Sequence, residues 1–201
     1  MNILDATKVH LIEPLLDKIR NELYNEELYP FPKFSLKEGL SAVIWRETEE
    51  PEINANSWIN IDKFFALKKA KESVSKSKYF YVAWAYRELD EKSEPMLRTV
   101  VELLFDWEDV ENYESFIDYH TSQFFVFDSS LEWFLHIDDS VLLAGSVEFL
   151  WDFSDSLGGK EVIFKMFDDY LADVDSAKTI CWVNEIKGRY IDNNNRELTG
   201  V

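Results

Sequence analysis

Phe124-Phe125-Val126-Phe127-Asp128-Ser129-Ser130-Leu131-Glu132-Trp133-Phe134-Leu135-His136-Ile137-Asp138-Asp139-Ser140-Val141-Leu142-Leu143-Ala144-Gly145 is the stretch that decides the fold class. Three short apolar runs, rich in aromatic and β-branched side chains, are separated by Asp-Ser-Ser and Asp-Asp-Ser. Apolar runs of this length read as strands, and Asp and Ser between them read as turns, because their side chains bond to nearby backbone. The spacing predicts a hairpin followed by a third strand, a small antiparallel meander over about residues 124–145.

Upstream the pattern changes to helical spacing. Val9, Ile12, Leu15, Leu16, Ile19 and Leu23 recur at helical spacing, which predicts an amphipathic helix over residues 9–24 with Pro14 in its first turn. Ser35-Leu36-Lys37-Glu38 has the form of a capping box, and Leu36, Leu40, Val43 and Ile44 continue it as a second helix. Residues 57–75, where lysines interleave with Phe64, Phe65 and Leu67, predict a third. Residues 79–86 are aromatic and β-branched enough for a strand, with Ala83 and Ala85 leaving a buried helix open. Ser93-Glu94-Pro95 opens a helix carrying Leu97, Val100, Val101, Leu104 and Phe105, and residues 109–119 form one more. Downstream, residues 147–153 fit either state. Gly158-Gly159 is a break before a helix over residues 160–173, residues 179–183 are a short apolar run, and the tail from Asp192 is polar and frayed. Helices in the first half packed on a small antiparallel meander predict an α+β class, with residues 1–201 as a single acidic domain.

The 201 residues are 46% hydrophobic and 15% aromatic, enough to bury a core without staples. One cysteine, Cys181, excludes an internal disulfide, and its apolar neighbours predict a small buried residue. No apolar run approaches the length of about 18 residues that a membrane-spanning helix needs. The first residues lack the basic and apolar regions of a signal peptide, so a cytoplasmic location follows by elimination.

The net charge is −18, and it is unevenly spread. Residues 1–100 carry 17 acidic and 15 basic side chains, whereas residues 101–201 carry 22 and 6. Residues 99–159 contain 14 carboxylates and neither Lys nor Arg. Such a block repels nucleic-acid phosphates and anionic membranes, so neither is expected as a direct partner. It cannot neutralise itself; its counter-charges come from the lysine-rich first half or from another molecule. Trp107, Tyr113, Tyr119, Trp133 and Trp151 lie among these carboxylates. Aromatic rings rimmed by like charge suit an interface in which rings anchor and charges steer. Asp106, Trp107, Glu108, Asp109, Glu111, Tyr113 and Glu114 are the first candidates for a partner-binding surface; Asp138, Asp139, Asp152 and Asp155 are the second.

Signals for catalysis are weak. His10, His120 and His136 are isolated, and zinc ligands cluster. His136 with Asp138 and Asp139 fits a strand-ending turn as well as a site. Asp168, Asp169, Asp173 and Asp175 lack the calcium-loop pattern and read as a solvated helix end. No glycine-rich phosphate loop and no nucleophile elbow is present. No enzymatic activity, no metal and no cofactor is expected.

The strand-turn-strand segment from Phe124 to Gly145 resembles a segment of small bacterial proteins of the toxin-immunity kind. The resemblance covers about 22 residues. It implies a cytoplasmic inhibitor with a specific protein partner, and it carries over no functional residue. Together with the charge it predicts binding and occlusion of a basic toxin domain, such as a nuclease whose cleft normally accepts phosphate. An inhibitor that mimics DNA is the alternative, and a metal-dependent enzyme using the Asp clusters a second one. The oligomeric state is left open.

Overall fold

A computed structural model describes residues 1–26, 34–46, 58–85, 92, 96–116, 123–138 and 140–198. It has the α+β class that the sequence predicts, with helices and antiparallel strands. The chain divides into two compact units that interleave in sequence: Met1–Glu38 with Ser77–Asp138, and Gly39–Lys76 with Asp139–Val201.

The first unit opens with β1 (Asn2–Ile3) and α1 (Ala6–Lys18). Asp5 caps α1 by accepting from the Lys8 amide at 3.0 Å, so the helix begins three residues earlier than its apolar spacing suggests. Pro14 therefore lies inside α1 and not in its first turn. It removes one intrahelical hydrogen bond, and burial of Val9, Ile12 and Leu16 holds the helix against that loss. A π-helical turn (Ile19–Leu23) follows, then β2 (Tyr24–Glu26), which pairs antiparallel with β3 (Phe34–Leu36).

The sheet of this unit is built from β5 (Tyr79–Trp84), β6 (Val100–Leu104), β7 (Phe124–Phe127) and β8 (Trp133–Ile137), in the order β1-β6-β5-β7-β8 and antiparallel throughout. Strand β5 and the β7–β8 hairpin form where the sequence places them. The helix expected from Ser93 does not: residues 100–104 are strand β6, with Val100, Val101 and Leu103 buried, and residues 93–95 lie outside the described residues. Adjacent β-branched valines and a strand partner on either side outweigh helical spacing there. Helix α3 (Trp107–Phe116) supplies the next layer. Its Tyr113 meets Phe124 edge-on at 6.1 Å, while Phe105 bridges Phe80 at 4.8 Å and Trp133 at 5.7 Å.

The second unit contains β4 (Ser41–Trp45), α2 (Ile61–Val74), β9 (Val141–Gly145), α4 (Val147–Ser156), α5 (Lys160–Ala172) and α6 (Ala177–Leu198). Strand β4 replaces the helix expected after the capping-box pattern. It pairs antiparallel with β9 from Ser41↔Gly145 to Trp45↔Val141, and all five of its residues are buried. Gly39, with φ of +89°, sits in the turn before it, a backbone state that glycine supplies cheaply. Helices α2 and α5 match the expectation, and residues 147–153 resolve as helix. Trp45 stacks on Phe153 at 6.1 Å, under Lys63 at 5.5 Å. Helix α6 was not expected: residues 179–183, read only as a short apolar run, lie within it, and backbone helix continues to Leu198, past the predicted fraying point. Its Val183, Ile186 and Tyr190 are buried, whereas Cys181, expected inside, is exposed. Among the described residues no helix is long and apolar enough to cross a membrane.

Candidate protein-binding surface

The first candidate group is built around α3, and the helix sorts its members into different roles. Val110 and Tyr113, three residues apart, face the sheet and are fully buried, so Tyr113 belongs to the core and not to a surface. Burial pushes its phenol well above the ordinary value of 10.0, although the neighbouring Trp84 side chain offsets part of that rise. Trp133, read as an exposed ring among carboxylates, is likewise fully buried. Both corrections have one cause: apolar area outweighs the polarity of sequence neighbours.

Asp106 opens the helix, its Oδ1 accepting from the Glu108 amide at 3.1 Å. Glu108 and Asp109 fill the first turn, where the helix dipole favours negative charge. Asp109 turns inward. Its Oδ1 takes the Met1 amino group at 2.8 Å and its Oδ2 takes the Leu104 amide at 2.8 Å, so it closes the edge of β6 beyond two-residue β1. Partial burial pushes this carboxyl up, but the bonds from the amino group and the Leu104 amide, with the positive charge of the terminus, outweigh it. The carboxyl is held below its ordinary range. Trp107 is half-buried, and its indole N–H donates to Glu111 Oε1 at 2.8 Å.

Asp106, Glu108 and Glu111 are therefore the carboxylates that α3 offers to solvent. Asp106 and Glu108 meet no cation among the described residues. The Glu114 side chain lies outside the described residues, as does Asp139.

The second candidate group divides between the units. Asp138 ends the first and is half-buried. Asp152 and Asp155 lie on α4 of the second, exposed with Glu148 on one stripe of the helix. Neither Asp152 nor Asp155 meets a cation among the described residues. Next to Asp152 in the chain, the half-buried Trp151 has an indole N–H without an acceptor among the described residues.

Among the described residues no three His, Cys, Asp or Glu side chains assemble as a metal site. Asp168 pairs with Lys187 and Asp169 with Lys165, each at 2.5 Å, which separates that cluster into two ion pairs. His136 is buried and stacks on Phe125 at 4.6 Å.

Two features carried no sequence signal. Arg98 is only 7% exposed and donates through Nη1 to the carbonyls of Trp84 and Ala85, where Arg20 also donates. The second is a group around Tyr81, whose phenol is raised by burial and then by the charges of Glu102 and Asp128. Asp128 is fully buried. Its Oδ1 accepts from the Ser130 amide at 2.8 Å and from the Ser130 hydroxyl, fixing the hairpin turn, while its Oδ2 accepts no hydrogen bond among the described residues. The Asp-Ser-Ser sequence marks that turn, but the register that brings Glu102 beside Tyr81 is not written in it.

No protein-family model matches the chain, and no curated protein or solved structure is significantly similar to it.

Proposed function

We propose that this protein is an immunity-type inhibitor that binds a basic protein partner, a toxin domain, and occludes it through the acidic face of α3. The observation that carries this reading is the exposure of Asp106, Glu108 and Glu111 on one helix, within a 61-residue stretch that holds no Lys or Arg. Carboxylates at the mouth of a cationic cleft stand in for phosphate oxygens, and their field accelerates encounter in a way that salt screens. Trp107 supplies apolar area beside them, oriented by its bond to Glu111. In this reading the protein acts in the cytoplasm, catalyses nothing and needs no cofactor.

The test is capture from the source cell at low and high salt, followed by binding measurements on the captured partner. A single basic partner released by salt, and neutralised in a toxicity assay, is the expected result. Reversing Asp106, Glu108 and Glu111 to Lys should then weaken binding by at least about tenfold, chiefly through slower association. Unchanged affinity in that variant would remove α3 from the interface. Several unrelated nucleic-acid-binding partners would replace this reading with DNA mimicry.

A further inference from the structure

Residues paired across antiparallel strands point to the same face of a sheet. In the first unit one such row runs Asn2, Glu102, Tyr81, Phe127, Phe134. Burial falls along it: Phe134 and Phe127 are buried, Tyr81 and Glu102 are half-buried, and Asn2 is exposed. The next row on this face pairs Tyr79 with Leu104, and these are 45% and 43% exposed. One end of the face thus presents an open aromatic–aliphatic pair beside a carboxylate.

The charges there are uncompensated. Among the described residues Glu102 meets no cation, and Asp128 is buried with one oxygen accepting no hydrogen bond. Burying or crowding carboxylates without a counter-charge is unfavourable, and a cation placed among them relieves it. The Tyr81 phenol is raised first by burial and only then by the charges of Glu102 and Asp128. Residues 99–159 contain no Lys or Arg to supply the cation. Arg98 is spent on the Trp84 and Ala85 carbonyls, and Lys78, adjacent to Tyr79, forms no ion pair among the described residues.

We propose that this sheet face, formed by Tyr79, Tyr81, Glu102 and Leu104, receives an arginine and a neighbouring apolar side chain of the basic partner. Arginine fits better than lysine: its planar guanidinium bonds a carboxylate with two donors while lying against a phenol ring. The apolar neighbour covers Leu104. This inference rests on the basic-partner reading above and adds a second contact to α3.

The probe is a short peptide alternating arginine and leucine, compared with the same peptide carrying citrulline for arginine. It is titrated into the full-length protein labelled with fluorotyrosine, with Tyr79→Phe and Tyr81→Phe assigning the fluorine signals. The Tyr79 and Tyr81 signals should shift saturably with the arginine peptide and not with the citrulline one. Glu102→Gln should weaken binding about fivefold and Leu104→Ser about threefold, with unchanged melting and circular dichroism. If these two variants bind as the wild type does while Lys at Asp106 and Glu108 abolishes binding, the sheet face is overturned and the basic-partner reading stands. If the arginine peptide binds wild-type protein no better than citrulline, both fall.

Discussion

Replacing Arg98 tests the internal wiring of the first unit. Its guanidinium, 7% exposed, donates to the carbonyls of Trp84 and Ala85, the latter at 2.6 Å, just where β5 ends. Each bond has a charged donor, and such bonds contribute about 1.5–3 kcal/mol when one partner is removed. The two carbonyls are not equally exposed to that loss. Ala85 also accepts from Arg20 at 3.2 Å, so it keeps a donor; the orphaned acceptor is the Trp84 carbonyl. Glu13 Oε1, 3.9 Å from Arg98 Nε, also loses a cation, and because both side chains are largely buried this loss adds to that of the orphaned carbonyl. Arg98→Met, which keeps most of the apolar stem and removes every donor, should therefore cost at least about 2–3 kcal/mol. Arg98→Lys, which keeps the charge but not the planar fork, should cost about half of that. Urea unfolding followed in parallel by tryptophan fluorescence and far-ultraviolet circular dichroism measures this, and coincident transitions would license a two-state fit. An Arg98→Met variant within about 0.5 kcal/mol of wild type, the range of ordinary surface changes, would refute the reasoning. It would mean that water or a rearranged Arg20 satisfies the Trp84 carbonyl as well as Arg98 does.

Two predictions concern pH. Asp109 has a folded pKa held below its ordinary 3.8, so its contribution is complete above that value and is lost as pH falls through the depressed folded value. Asp109→Asn should be less stable than wild type at neutral pH, with the difference closing in acid; a gap that persists unchanged at about pH 2 would contradict the linkage. Tyr113 has the opposite sign. Its folded pKa is raised, so stability is complete below the ordinary 10.0 and is lost above it, where the unfolded phenol ionises and the buried one does not. Tyr113→Phe should flatten the alkaline fall in stability, read from melting temperature against pH; parallel profiles for the two proteins would count against burial as the cause.

What was legible in the sequence depended on how each segment meets the core. Strands β5, β7 and β8 announced themselves through dense aromatic and β-branched runs, and β9 through a short apolar run after the Asp138-Asp139-Ser140 turn. Strand β4 did not. All five of its residues are buried, so it has no alternation to read, and Val43 and Ile44 fall by chance at helical spacing from Leu40. The Ser35–Glu38 pattern strengthened the wrong choice, because a capping box is decided by four residues and a strand partner lies about a hundred residues away. Strand β6 failed for the same reason: Val100 and Val101 are adjacent and both buried, one on each face. Helix α6 was missed from the other side, since only Val183, Ile186 and Tyr190 mark its buried stripe along a polar sequence.

Charge was legible as composition and illegible as geometry. The absence of Lys and Arg from residues 99–159 is a fact of the chain, and it survives folding. The role of each carboxylate does not follow from it. Asp109 closes a sheet edge, Asp128 fixes a hairpin turn from full burial, and Asp106, Glu108 and Glu111 remain in solvent. Neighbours in sequence thus divide between structural and solvent-facing roles according to which side of α3 they occupy. Aromatic residues divide in the same way: Tyr113 fills the core while Trp107, six residues earlier, stays at its margin. The same helical period that buries Val110 and Tyr113 turns Glu108 and Glu111 outward, so reversing the exposed charges should change association without loosening the fold.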